Sequence, residues 1–382
     1  MSTCVPAFEF APSFTFTVGD AVQAAAAGQD YTNGAFFSGK WHLGSFYNDS
    51  ELHGGRTSSP ITHGFHHFNA TTACAPTYTL NCQCKAEWEA DCHFGHYNNS
   101  FNFCESPHGD PNRCCFNYWW DDPFEPHGVN NLTSPSEPDD ALYLVDAFAR
   151  FVQDRKRENL PFLAQISFHN CHIPFIGSVE AVEACARNET CRPPNDVPYT
   201  AQELDYYACL TQLDTAVGQI LDLLHSTGYY DNTMIWLASD NGPEHNCPPD
   251  GICQRGGTDP SRPVEGPGSA GILRGRKRDI YEGGHRVPGL VSWPAFVGNE
   301  KGRESWETVS TMDFLPTIMD VLGVCRPPQQ QGWAMDGRSI LHILQGKRWK
   351  DTDLGEREIG FGYYDAKLAL VHGWGYRYGR WK

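Results

Sequence analysis

Positive charge is scarce in this chain. Twenty-nine lysines and arginines face 46 aspartates and glutamates, for a formal net charge of −17. A field of that sign disfavours nucleic acid and acidic membrane surfaces, so neither is expected as a partner. A small anionic substrate stays open, because a local cationic cluster outweighs the global field at short range. No apolar run approaches the roughly eighteen residues of a membrane span, so none is expected. Residues 1–20 show no basic start followed by a long apolar stretch, so no signal peptide is expected in them. Internal repeats and low-complexity linkers are missing too. The cysteines lack the paired spacing of structural zinc sites, as Cys82-x-Cys84 and Cys114-Cys115 illustrate.

What is present is distinctive. There are 382 residues, 40% of them hydrophobic, enough for one large α/β domain or two ordinary ones. Of 15 cysteines, seven lie between Cys74 and Cys115. Asn-x-Ser/Thr sequons begin at Asn48, Asn69, Asn98, Asn131 and Asn188. Cysteines and sequons together point to an oxidising, secretory compartment, and the odd cysteine count leaves at least one thiol unpaired within the chain. Secretory composition without a signal peptide suggests a chain that begins part-way into a longer protein.

The apolar pattern alternates strands and helices. Residues 18–28 read as a short alanine-rich helix. The apolar run that opens residues 35–44 reads as a strand with the rest as its exit loop, and residues 161–168, 234–238 and 287–293 read as buried strands. Leu144, Phe148, Phe151 and Val152 share one helical face, and 201–224 is a long amphipathic helix interrupted by Asp214. Residues 311–322 and a shorter segment around Leu341 and Leu344 are helical, and the last thirty residues suggest one or two edge strands. Residues 48–138 hold most of the sequons, a cysteine cluster and little periodicity, and read as a disulfide-stapled insertion.

Polar residues gather where strands end. Asp240 and Asn241 follow the 234–238 strand, at the edge where open α/β sheets collect ligands, and offer two oxygens suited to Ca²⁺ or Mg²⁺. Asp-Asn-Gly-Pro is also good turn chemistry by itself. Lys40 and His42, in the exit loop of the strand that opens at Ala35, point to the same side of an extended segment, as an anion-binding pair or as a surface lysine beside a packed histidine. His169 and His172 leave the 161–168 strand, either facing a site or held in the core. Arg274, Arg276, Lys277 and Arg278 crowd four cations into five residues, as a solvated loop or as the local positive field an anionic ester needs.

Four of these stretches, residues 39–44, 168–175, 239–243 and 273–288, together resemble the sulfatase family of the alkaline phosphatase-like superfamily. The segment with Lys277 and Tyr281-Glu282-Gly283-Gly284 is the most specific. The resemblance implies an α/β fold, a large, mixed, mostly parallel sheet flanked by helices. Its catalytic domain would run over 1–325, including the 48–138 insertion, with a small α+β subdomain over 326–382. It implies hydrolysis of a sulfate ester to an alcohol or phenol plus sulfate. Lys40 and Lys277 would hold sulfate oxygens, His42 would assist the nucleophile, His172 would face the substrate, and Asp240 and Asn241 would ligate Ca²⁺. The substrate would be a sulfated small molecule or glycan, and the location secreted or lysosomal.

The chain departs from the family in its first part. The Cys-x-Pro-Ser-Arg motif that yields the formylglycine nucleophile is absent, and no Asp pair precedes Lys40. Cys4-Val5-Pro6 keeps a cysteine and a proline without the arginine. Asp121-Asp122 and Asp139-Asp140 fall in the insertion and at a helix start. The expectation is therefore a sulfatase lacking its amino-terminal segment, inactive as this chain alone. A non-catalytic anion- or glycan-binding homologue and a phosphodiesterase of the same superfamily are the alternatives.

Overall fold

The computed structural model describes residues 5–6, 21–22, 34–41, 60, 63–71, 117–121, 126–131, 140–172, 177–192, 198–199, 201–244, 267–277, 279–298, 302–326, 334–365, 370–379 and 381–382. The strands are β1 (Val5–Pro6), β2 (Ala35–Lys40), β3 (His67–Thr71), β4 (Asn117–Asp121), β5 (Pro126–Asn131), β6 (Leu163–Ser167), β7 (Ile235–Ala238), β8 (Gly289–Ser292), β9 (Val324–Cys325), β10 (Glu358–Asp365) and β11 (Leu370–Tyr378). The longer helices are α1 (Ala141–Glu158), α2 (Val179–Ala186), α3 (Ala201–Thr227) and α4 (Phe314–Leu322). The chain divides into two compact units. The first comprises Met1–Thr227, Asp250–Ile252 and Leu322–Gly332; the second comprises Gly228–Pro249, Cys253–Val321 and Trp333–Lys382.

The first unit is built on a five-stranded mixed sheet in the order β5-β4-β3-β2-β6. β2 pairs in parallel with both β3 and β6, while β4 runs antiparallel to β3 and β5. Alternation along β2 sends its two phenylalanines to opposite faces. Phe36 meets Phe148 and Phe151 of α1, with ring centroids 5.9 and 4.9 Å away. Phe37 packs edge-on against Trp41 at 5.0 Å and Phe65 at 5.5 Å, in a cluster with Val22, Phe68 and Ala70. The helical face expected from Leu144, Phe148, Phe151 and Val152 is thus the buried face of α1. That helix ends on Asn159 in the left-handed conformation, with Arg155, Lys156 and Arg157 in its last turn, where cations complement the helix dipole. Arg155 pins the turn into β6 by donating to the Pro161 carbonyl from Nε and Nη2, at 3.0 and 2.6 Å.

Two expectations change here. The 48–138 segment is more than an appendage, since β3, β4 and β5 come from it and extend the sheet from β2. Short strands without strong alternation, pinned by sheet neighbours rather than by their own pattern, escape a periodicity search. The sequon at Asn69 lies on β3, where the side chain is buried and donates to the Tyr143 hydroxyl at 2.9 Å, so it presents no acceptor for a glycan in the folded chain. Asn188 by contrast is exposed. Among the described cysteines, Cys185 and Cys191 form a disulfide, Cys325 is disulfide-bonded, and Cys171 and Cys209 are free. No helix among the described residues is long and apolar enough to cross a membrane.

In the second unit β7 pairs with β8, antiparallel, in a two-stranded sheet. Their apolar runs predict full burial. Instead both strands are partly exposed, and the cross-strand pair Leu237 and Leu290 reaches solvent. Trp236 anchors the inner side, edge-on to Phe314 of α4 at 4.2 Å and packed on a cluster of Ile340, Ile343 and Trp349. The last thirty residues, read as one or two edge strands, hold β11 and most of β10, which pair antiparallel with a register shift between Tyr363 and Tyr364.

Candidate functional site

The residues singled out in the sequence fall in both units, and each group has its own local architecture. In the first unit, β2 and β6 run parallel with Gly39 opposite Ser167, so Lys40 and the His169 turn leave neighbouring strand ends. Gly39 has φ of 97°, and a Cβ there would collide with the Ser167 carbonyl, which reserves the position for glycine. Trp41 is buried against Phe37, Phe65 and His63 and fixes the chain's exit just after Lys40. His42 and Arg278 lie outside the described residues.

The turn after β6 is held from inside. His169 is buried, and its Nδ1 lies 2.6 Å from Oδ2 of the equally buried Asp140. The His169 carbonyl accepts from the His172 amide at 2.8 Å, so the anchored ring sets the turn that carries His172, which is half-buried. Asn170 reaches α3, donating to the Cys209 carbonyl at 3.4 Å. In the sequence Asp140 reads only as part of a helix start. Its carboxylate makes no capping bond to α1 and turns to His169 instead. Nothing in the spacing of two residues 29 positions apart announces that pair.

In the second unit, the loop after β7 is clasped by the cationic loop. The Lys277 amide donates to the Pro243 carbonyl at 2.9 Å, and the Gly242 amide to the Gly284 carbonyl at 2.9 Å. A Cβ on Gly242 would overlap the Gly283 carbonyl, and one on Gly283 would overlap the Gly275 carbonyl. The glycines therefore let three backbone segments touch. Lys277 Nζ pairs with Glu244 Oε2 at 3.1 Å, the lysine side chain 18% exposed and the glutamate 5%. Arg276 donates from Nε to the Glu244 carbonyl at 3.0 Å and from Nη2 to the Gly268 carbonyl. Glu244 carries no motif of its own, although it directly follows the Asp-Asn-Gly-Pro turn.

Backbone hydrogen bonds thus join the Asp240-Asn241 turn to the Lys277 loop. Asp240 is exposed at the end of β7. Asn241 donates from Nδ2 to the Gly242 carbonyl at 2.9 Å, which leaves its side-chain oxygen as the acceptor on the other limb of the amide. Two oxygen donors of this kind suit a hard divalent cation but are fewer than the six to eight that Ca²⁺ takes. No group of three or more His, Cys, Asp or Glu among the described residues makes a metal cluster. Asp240 and Asn241 therefore fit as part of a cation site, and do not complete one.

Parallel strands that deliver polar turns at their carboxyl ends, with a helix packed on the sheet, define an α/β protein. The chain belongs to the sulfatase family, whose model matches residues 25–324. It is 30% identical to rat steryl-sulfatase over 246 residues, 63% of this chain and 36% of that protein. It is 32% identical to human arylsulfatase H over 232 residues, 60% of this chain and 34% of that one. The match thus spans about a third of each relative's length. Among solved structures, Ps i-CgsB in complex with k-i-k-neocarrahexaose superposes with a TM-score of 0.59 at 18% identity, covering 94% of this chain and 64% of that one.

Proposed function

We propose that the protein hydrolyses a sulfate ester to an alcohol or phenol plus sulfate. The observation that carries this reading is the clasp of the Asp240-Asn241 turn by the Lys277 loop in a member of the sulfatase family. Sulfate is an anion, and cleavage builds further charge on the departing oxygen. Fixed cations aimed at that charge lower the barrier. Lys277, held by Glu244, and Lys40, at the end of β2, would hold sulfate oxygens and stabilise the leaving group. His172, set by the buried His169, would face the substrate, and His42 would assist the nucleophile. Asp240 and Asn241 would contribute to holding one divalent cation, Ca²⁺ on the family's pattern, which when bound orients the sulfate and acidifies the attacking hydroxyl.

On the family's pattern the nucleophile is a formylglycine made within a Cys-x-Pro-Ser-Arg motif, which these 382 residues do not contain. The substrate is a sulfated small molecule or glycan, and the cysteines and exposed Asn188 sequon support a secreted or lysosomal location. The catalytic domain would run to residue 325, with 326–382 as a carboxy-terminal subdomain.

The test is Lys277→Ala in the full-length protein with an aryl sulfate. Turnover should fall about 10²–10³-fold, the cost of losing one electrostatic contact in other enzymes, while the thermal midpoint changes little. Activity near the parent level would remove Lys277 from the site. A matched aryl phosphate in the same assay separates sulfatase from phosphodiesterase or phosphatase chemistry.

A further inference from the structure

Among its described residues, the cationic loop holds one cation that binds neither a carboxylate nor a backbone carbonyl. Arg276 is turned inward onto the Glu244 and Gly268 carbonyls. Lys277 is paired with Glu244. The nearby carboxylates are engaged as well. Asp279 accepts the Arg276 amide at 2.8 Å, and Glu282 binds Arg377 at 2.8 Å, Lys382 at 3.0 Å and Arg286 at 3.4 Å. Arg274 is different. It is exposed and has no carboxylate partner among the described residues, and its guanidinium carbon lies 3.8 Å from the centre of the Tyr281 ring.

That arrangement occupies the face of the guanidinium and leaves its in-plane N–H donors open. A guanidinium presents five such donors in a fixed fork that matches a sulfate or a carboxylate edge. The ring also removes much of the rotamer freedom that an exposed arginine would otherwise lose on binding. The backbone beneath is fixed. The Arg274 carbonyl accepts from the Gly283 amide at 2.7 Å, and Gly275 follows with φ of 85°. Lys277 comes three positions after Arg274, so their Cα atoms lie within about 11 Å of each other.

We infer that Arg274, braced by Tyr281, is a second anion subsite beside Lys277, which takes a further sulfate or carboxylate on the same substrate molecule. The substrate class is then a glycan bearing more than one anionic group, rather than a singly sulfated phenol or alcohol. This rests on the assignment of Lys277 to the reacting sulfate.

Titration calorimetry on the full-length protein tests it, with a disulfated disaccharide and its monosulfated counterpart as probes. The wild type should bind the disulfated sugar more tightly. Arg274→Gln should reduce that preference ratio about tenfold, the effect of one charge-assisted hydrogen-bonded contact. Tyr281→Leu should reduce it in the same direction, and Tyr281→Phe, which keeps the ring, should preserve it. A wild-type ratio near one, or a ratio unchanged in Arg274→Gln, overturns the subsite. Lys277→Ala is the separate control: if it leaves the affinity for the monosulfated sugar intact, the assignment of Lys277 fails, whatever Arg274 does.

Discussion

Asp313 is fully buried and meets Arg357, also buried, at 2.7 Å. It also takes backbone amides of Ser310 and Arg338, each at 2.8 Å. Arg357 in turn lies over Trp349, which closes the cluster beneath β7 and β8. Breaking one side of such a pair leaves a charge stranded away from water. Asp313→Ala should therefore cost about 3–5 kcal/mol, measured by urea unfolding. Glu282 gives a pH signature. Burial alone would raise its pKa from 4.5, but the ion pairs with Arg377 and Lys382 outweigh burial and bring it down to about 2. Between those values the unfolded chain binds the extra proton, so stability rises with pH across that window. The contribution is complete above 4.5 and lost as the pH falls through 2. Partial exposure limits it to on the order of 1–2 kcal/mol. In Glu282→Gln the drop in urea midpoint from pH 6 to pH 3 should be smaller than in the wild type.

At the scale of elements, the glycine contacts make a sharper test than the cations do. Gly242→Ala places a methyl group on the Gly283 carbonyl, which neither backbone can yield cheaply. The two loops should part, and hydrogen exchange at the Lys277 amide, bonded to Pro243 in the wild type, should accelerate. Sulfate-ester binding should weaken along with it. Periodicity makes the helices legible. α1 and α3 carry long apolar stripes, and both form where expected, although Leu210 and Asp214 of α3 face solvent. The cores of β2, β6, β7 and β8 are legible as short apolar runs. Their partners are not, because strand pairing is a non-local choice. β7 reads as a member of a large sheet and pairs only with β8 among the described residues. The candidate residues show the same limit. Lys277 and Asp240 are visible as motifs, whereas Glu244 and Asp140 matter through what they touch.

At the scale of the whole molecule, a net charge of −17 coexists with a loop that concentrates cations near Asp240. The general field does not recruit an anion, so recognition falls to contacts made within that loop. The large sheet also has a history written into its register. The partner at one edge of β2, β3, follows it closely in sequence, with Phe36 opposite His67, whereas the partner at its other edge, β6, comes much later, with Ala35 opposite Leu163. During synthesis at roughly 5–20 residues per second, Leu163 emerges about 6–26 s after Ala35. If β2 formed in that interval, a strand lined by Phe36 and Phe37 would stand with one edge unpaired. The order of the strands along the chain would then set a period of vulnerability during synthesis, ending when β6 is delivered with the turn that carries His172.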